Sequence, residues 1–75
     1  MTTQETQRIG AKVAAIRKAN GLSQRALAEQ AKVSQSQVVN IERAIYSPSL
    51  DTLAKVLDPL GYRLAIIPKE TTQIG

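Results

Sequence analysis

The 75-residue sequence contains no cysteine and no histidine, and its aromatic residues are limited to Tyr46 and Tyr62. Without cysteine and histidine there is no disulfide, no thiolate or imidazole metal ligand, and no Cys/His or Ser/His/Asp catalytic group. An enzyme would have to work with serine, lysine, tyrosine and carboxylates on a single small domain. We therefore expect a protein that is not an enzyme and that holds no metal and no cofactor.

Long apolar runs are missing as well, although 43% of the residues are hydrophobic, enough for a packed core. No stretch approaches the ~20 apolar residues that span a bilayer. The polar start MTTQETQ lacks the apolar segment of a signal peptide. We expect a cytoplasmic protein that makes no membrane contact.

Charge is distributed unevenly along the chain. The formal net charge is +4, but residues 8–43 hold seven basic and two acidic side chains, a net of +5, whereas residues 44–75 are balanced. A positive field on one part of a domain suits a polyanionic partner such as DNA. A solvated basic surface without a partner is the alternative.

Apolar spacing and cap residues predict a helical domain. Asn20-Gly21 ends the first helix, Ser34 caps the third in a Ser34-x-x-Gln37 box, and Pro59 stops the fourth. We predict helices over residues 6–20, 24–31, 35–43 and 50–57, with a final turn that reaches residue 61. The predicted inward positions are Ile9, Val13, Ile16, Leu22, Leu27, Ala28, Ala31, Val38, Ile41, Leu50, Leu53, Ala54, Leu57 and Leu60.

The third predicted helix has an outward side that suits nucleobases. Gln35, Ser36, Gln37 and Asn40 are polar and uncharged, and no acidic residue precedes Glu42. Amide side chains can pair with N6 and N7 of adenine, whereas carboxylates would repel phosphate. A solvated helix is the alternative, but such helices more often carry Glu and Lys. With the short break before it, this helix predicts a helix-turn-helix.

Residues 16–44, IRKANGLSQRALAEQAKVSQSQVVNIERA, resemble the helix-turn-helix of the XRE (Cro/repressor-like) family, and the resemblance covers roughly residues 8–61. It implies an all-α, repressor-like domain of four to five helices. The helix that begins at Gln35 would lie in the major groove of double-stranded DNA.

The resemblance also implies roles for single residues. The base-reading positions are Gln35, Ser36 and Asn40, with Gln37 at the edge of the groove. Arg17 and Glu42 match a structural ion pair between the first and third helices. Phosphate contacts are expected from Lys12, Gln24, Arg25, Lys32, Ser34 and Arg43.

Two positions depart from the family pattern, because Lys32 and Ala44 stand where glycine is usual. A lysine in a backbone of positive φ would carry a conformational cost, although it could add a phosphate contact. We expect the loop after Ala44 to take a different path.

Residues 62–67 alternate, with Tyr62, Leu64 and Ile66 on one side, and Pro68 follows them. This pattern predicts a C-terminal β-strand. A single strand leaves backbone groups unpaired, so we expect it to pair with a second copy across a twofold axis. Such a homodimer would place two recognition helices ~34 Å apart on a palindromic operator. Folding of residues 62–67 back onto their own helices is the alternative.

These patterns divide the chain into a flexible N-terminus (1–5), a DNA-binding domain (6–61), a dimerisation strand (62–68) and a flexible C-terminus (69–75). The expected function is that of a dimeric, sequence-specific transcriptional repressor. The continuation LGYRLAIIP, residues 60–68, resembles HipB-type antitoxins, which bind a kinase-like toxin and repress their own operon. That resemblance implies the alternative function, with a toxin protein as partner.

Overall fold

Four α-helices and one 3₁₀ turn build the domain in the computed structural model, which describes residues 2–68. The helices are α1 (Thr3–Ala19), α2 (Gln24–Ala31), α3 (Gln35–Glu42) and α4 (Leu50–Leu57), and the 3₁₀ turn is Asp58–Leu60. The all-helical domain agrees with the prediction. No helix in the described part of the chain is both long and apolar enough to cross a membrane.

Each α-helix begins at a hydroxyl side chain that caps its free N–H groups. The hydroxyls of Thr2, Ser23, Ser34 and Ser49 each accept an N–H from the residue three positions on. Helix α1 begins at Thr3 rather than at the expected Thr6, because Thr2 and Glu5 form a reciprocal capping box. The hydrogen bond from the Thr2 N–H lowers the pKa of the Glu5 carboxyl.

All four helical segments end in the same left-handed turn. Gly21, Lys32, Ala44 and Gly61 have φ values of 70°, 59°, 56° and 86°. In each case the N–H of the next residue donates to a carbonyl five positions back, at 3.0–3.1 Å. Ala44 thus adopts the left-handed backbone that glycine would adopt, and the different path expected for the loop after it stays a prediction. The turn geometry satisfies the last helical carbonyls whichever side chain is present.

The core consists of apolar side chains from all four helices. Its buried members are Val13, Leu27, Ala28, Ala31, Val38, Ile41, Leu53, Val56 and Leu60. Ile9, Ile16, Leu22, Val33 and Leu57 pack against it. The predicted α4 stripe is partly wrong, because Leu50 is 72% exposed and Ala54 is exposed, whereas Val56 is fully buried. The buried side of α4 is centred between Leu53 and Val56, which turns Ala54 outward.

Helices α1 and α3 approach each other closely at Gly10. A Cβ atom at this position would overlap the carbonyl oxygen of Ile41 and lie 3.0 Å from that of Glu42. These atoms belong to the last turn of α3, so Gly10 lets the end of α3 rest on the backbone of α1. Nearby, the Thr6 hydroxyl lies 3.1 Å from that of Ser47 and ties α1 to the loop after α3.

Residues 62–68 form no strand in the described chain. A strand needs a second backbone with free N–H and C=O groups, and the helices beside this segment use theirs internally. The segment runs along α1 instead: Tyr62 and Leu64 help to line an apolar groove, and Ala65 and Ile67 lie beside the first turns of that helix. We define the α1–α4 groove, about 210 Å³ in volume, by Ile9, Val13, Ile16, Leu53, Leu57, Tyr62 and Leu64. Ile66 is fully exposed. The predicted flexible residues 69–75 lie outside the described part.

Candidate nucleic-acid interface

The outward side of α3 forms a shallow hollow of about 350 Å³. Its lining, which we call the outer face, consists of Gln35, Ser36, Val39 and Asn40. Gln35 and Ser36 are exposed, and Val39 and Asn40 are half-buried. Among residues 2–68, the side chains of Gln35, Ser36 and Asn40 make no hydrogen bond, so their donors and acceptors are available to a ligand.

The opposite side of α3 holds this helix in place. Val38 and Ile41 are buried in the core, and α3 packs against both α1 and α2. Burial of Val38 and Ile41 turns the opposite side of the helix, with Ser36, Val39 and Asn40, toward the outside and leaves Gln35 at its edge. The sequence therefore produces an outer face by burying only two of the eight residues of α3, Val38 and Ile41.

Gln37, which we expected at the edge of the groove, belongs to the cap of α3. Its side-chain oxygen accepts the backbone N–H of Ser34 at 2.9 Å, and its own N–H donates to the Ser34 hydroxyl at 3.1 Å. Gln37 does not contribute to the hollow of the outer face. Ser34, expected to contact phosphate, is likewise occupied with capping.

Arg17 and Glu42 form a buried, bidentate ion pair between α1 and α3. The guanidinium Nε and Nη2 donate to the two carboxylate oxygens at 2.6 Å and 3.0 Å. Nη1 donates to the carbonyl of Leu22 at 2.8 Å, which leaves the guanidinium well satisfied. The hydrogen bonds that Arg17 donates to Glu42 raise the pKa of Arg17 above its ordinary value. Arg17 therefore serves the scaffold rather than a phosphate group.

Gln24 joins the same network from the first turn of α2. Its amide Nε2 donates to Glu42 Oε1 at 3.0 Å, and its side chain is half-buried. One of the two amide hydrogens is thereby used, and the other remains free for an anion. Glu42 thus connects α1, α2 and the end of α3.

The cations expected to contact phosphate lie in different places. Lys32 occupies the left-handed turn before α3 and Arg43 caps the end of α3, and both are exposed. Arg25 is exposed on α2, 3.6 Å from Glu29. Lys12 lines the α1–α4 groove, away from the hollow of the outer face. The structure therefore brings Lys32 and Arg43 to the two ends of α3, and it separates Lys12 from them.

Sequence reasoning overlooked two residues that shape this interface. Gly10 sets the distance between α1 and α3, and Thr6 anchors the loop after α3. A glycine inside a helical pattern was an available signal of close approach. Thr6 carried no such signal, because its partner Ser47 lies 41 residues away in the sequence.

The sequence and the fold were compared with known proteins. A family model described as "Helix-turn-helix" matches residues 13–67, which is most of the chain. The chain belongs to the XRE-type helix-turn-helix family. The match includes α2, α3 and the turn between them, and α3 carries the outer face.

Two curated proteins are similar in sequence to this chain. The immunity repressor protein of Bacillus phage phi105 is 44% identical over 66 residues, which cover 88% of this chain and 46% of that protein. An uncharacterized HTH-type transcriptional regulator of Haemophilus influenzae is 42% identical over 48 residues, 64% of this chain and 49% of that protein. The chain thus spans about half the length of the curated relatives it matches.

A solved structure supports the same fold for this helix-turn-helix chain. A chain of the SinR protein/SinI protein complex superposes with a TM-score of 0.69 and 38% sequence identity. The superposition covers 73% of this chain and 54% of the other.

Proposed function

We propose that this protein is a sequence-specific, double-stranded DNA-binding transcriptional regulator whose helix α3 enters the major groove. The outer face carries this proposal, since Gln35, Ser36 and Asn40 present free amide and hydroxyl groups on an anchored helix. Amides pair with the N6 and N7 atoms of adenine, and serine accepts several base edges. The major groove is wide enough for one α-helix.

Phosphate contacts would come from the ends of α3 and the start of α2. Lys32 and Arg43 flank α3, and both side chains are exposed. The free amide hydrogen of Gln24 and exposed Arg25 lie at the start of α2, where the helix dipole favours an anion. Lys12 contributes to the positive field rather than to this set. Lys32→Ala should weaken binding to all sequences alike and reduce the salt slope by about one.

We infer that the regulator is a repressor. The support is its 44% identity to an immunity repressor protein. A domain that occupies the major groove of an operator blocks other proteins from the same DNA, so repression needs no additional activity. Catalysis has no part in this mechanism.

We infer further that the protein acts as a homodimer through residues 62–67. The side chains of this segment expose a large apolar surface: Leu64 is 41% exposed, Ile66 102% and Ile67 78%. A partner would cover this surface. Apart from the Tyr62 N–H, which donates to the carbonyl of Leu57, the backbone groups of this segment have no backbone partner within the described chain. Antiparallel pairing with a second copy would satisfy them and would cover the open side of the α1–α4 groove.

Selection from a random pool of DNA duplexes tests the proposed function. The full protein should enrich one palindromic sequence, with half-sites about one helical turn apart. Footprinting of the DNA upstream of its reading frame should then protect a symmetric site, and a rise in salt should weaken binding steeply. Failure to enrich any sequence, or salt-dependent binding that is equal on all duplexes, would refute sequence-specific recognition.

The dimer has its own test. Wild-type protein should sediment as a dimer, and Ile66→Asp should sediment as a monomer that binds a single half-site with an unchanged helical spectrum. Lys18→Asp, an exposed change on α1, serves as the control. A monomeric wild-type protein that still protects a symmetric site would contradict pairing through residues 62–67.

A partner protein on the same exposed segment is the second candidate, corresponding to the HipB-type alternative. The observation that favours it is again the exposed apolar segment, and the similar SinR chain comes from a complex with another protein, SinI. Purification with a second, co-encoded protein and loss of that complex in Ile66→Asp would support this candidate. A self-associated dimer without any second protein would count against it.

A further inference from the structure

Val39 is an apolar residue for which the fold offers no structural role. Within the described chain it belongs neither to the buried core nor to the apolar side chains packed against that core. Its neighbours Val38 and Ile41 are 0% and 1% exposed and account for the anchoring of α3. A β-branched residue is also a poorer helix former than alanine, so local helix stability does not explain its presence.

The position of Val39 is well defined. It lies half-buried in the hollow of the outer face, one helical turn beyond Gln35 and Ser36 and directly before Asn40. In a helix the valine side chain is almost confined to one χ1 rotamer, so its two methyl groups hold a fixed direction. An apolar spot of fixed geometry is therefore surrounded by three polar side chains with free hydrogen-bonding groups.

This combination matches one feature of the major groove. An A·T pair presents there an adenine N7 acceptor, an N6 donor, a thymine O4 acceptor and the C5 methyl group of thymine. Amides recognise the adenine, and only an apolar contact recognises the methyl group. No other base of unmodified DNA offers an exposed methyl group to such a contact.

We propose that Val39 is a specificity-determining residue that contacts the C5 methyl group of a thymine, adjacent to the base contacted by Asn40. This inference rests on the proposed function and deepens it, because it predicts which base lies opposite the centre of α3. The selected sequence should contain an invariant thymine in each half-site, next to a position that depends on Asn40.

Replacement of thymine by uracil tests the contact directly, because it removes the methyl group and leaves base pairing intact. The probes are the duplexes enriched by the wild-type protein, with each thymine exchanged for deoxyuridine one at a time. Loss of one buried methyl group corresponds to a decrease in affinity of ~4-fold. One position per half-site should show this decrease with the wild-type protein.

Assignment to Val39 requires the same scan with Val39→Ala. This variant should bind the thymine duplex less tightly, and deoxyuridine at the critical position should cause no additional loss. Leu50→Ala is the matched control, because it removes a 72% exposed aliphatic side chain from α4 and should keep the full ~4-fold effect. If Val39→Ala does not fold, Val39→Thr, which retains one methyl group, replaces it and should reduce the effect.

The outcomes separate this contact from the function on which it rests. A critical thymine whose effect disappears in Val39→Ala supports the proposal. Enriched duplexes that tolerate deoxyuridine everywhere, or a methyl effect that persists unchanged in the variant, would overturn the role of Val39 while leaving sequence-specific binding in place. Absence of any enriched sequence would overturn both.

Discussion

The two sides of α3 differ in almost every physical property. The inner side consists of Val38, Ile41 and the carboxylate of Glu42, all buried or paired with residues of other helices. The outer face consists of side chains without an intramolecular partner in the described chain. The inner side therefore contributes to stability, and the outer face is free to serve recognition. Substitutions on the inner side should leave DNA recognition nearly unchanged, and substitutions on the outer face should leave stability nearly unchanged.

The largest effect is expected from Glu42→Ala. It removes the partner of buried Arg17 and strands a charge with only 10% of its side chain exposed, which should cost ~3–5 kcal/mol of unfolding free energy. Chemical denaturation measures this loss. The control is Arg25→Ala, which breaks an exposed pair at 3.6 Å and should cost less than ~0.5 kcal/mol. Equal losses in both variants would contradict a dominant role for the buried pair.

Gly10→Ala should follow in size. The added methyl group would overlap backbone oxygens of Ile41 and Glu42, which cannot rotate away, so we expect a loss of ~1–3 kcal/mol. Helix propensity alone predicts the opposite sign, a gain of ~1 kcal/mol. Ala15→Gly at an exposed position of α1 measures that propensity effect independently. A stabilised Gly10→Ala protein would show that α1 and α3 can separate without penalty.

Asn40→Ala tests the outer face. Affinity for the selected duplex should fall by ~1–3 kcal/mol, with relaxed preference at one base pair, because an amide that reads a base is lost. The unfolding free energy should change by no more than ~0.5 kcal/mol. Binding titrations on specific and random duplexes provide the comparison. Equal loss on both duplexes would mean that Asn40 does not distinguish bases.

Ala44→Gly changes the left-handed turn that follows α3. It should have a small effect, a gain of stability rather than a loss. Alanine at φ 56° is strained, whereas glycine is not, so the variant should gain ~0.5–1 kcal/mol in thermal or chemical unfolding. Affinity for DNA should be unchanged, because the turn keeps its geometry. A loss of stability would indicate that the left-handed turn depends on the alanine methyl group.

The smallest effect concerns the capping box at the start of α1. The lowered pKa of Glu5 means that its carboxylate stabilises the folded state above the ordinary pKa of about 4.5. This contribution is lost as the pH falls through the lower, folded pKa. Melting curves should show wild-type protein slightly more stable than Glu5→Gln near neutral pH and equal to it in acid. A difference that persists in acid would exclude the charge as its cause.

Local sequence signals predicted α2, α3 and all the caps except that at Thr2. The hydroxyls of Ser23, Ser34 and Ser49 begin helices because their partners lie only three residues away. Gly21 was predicted to end α1 for the same local reason. Residues such as Val38 and Ile41 were predicted to be buried because their spacing places them on one side of α3.

The remaining features depend on contacts that spacing does not reveal. Val56 rather than Ala54 faces the core because the angle at which α4 packs on α2 selects the buried side. The strand expected at 62–67 is absent from the described chain because a strand requires a second backbone, which the single chain does not provide.

The sequence by itself determined the helices and their caps, since both depend on interactions within about one helical turn. It also determined the polar composition of α3. Only the tertiary structure decided which side chains of α3 remain without a hydrogen-bond partner. It also decided that α3 packs closely on α1 at Gly10, and that Glu42 binds both Arg17 and Gln24. These features bring together residues far apart in the chain. Their geometry follows from the packing of whole helices, which no short stretch of sequence specifies.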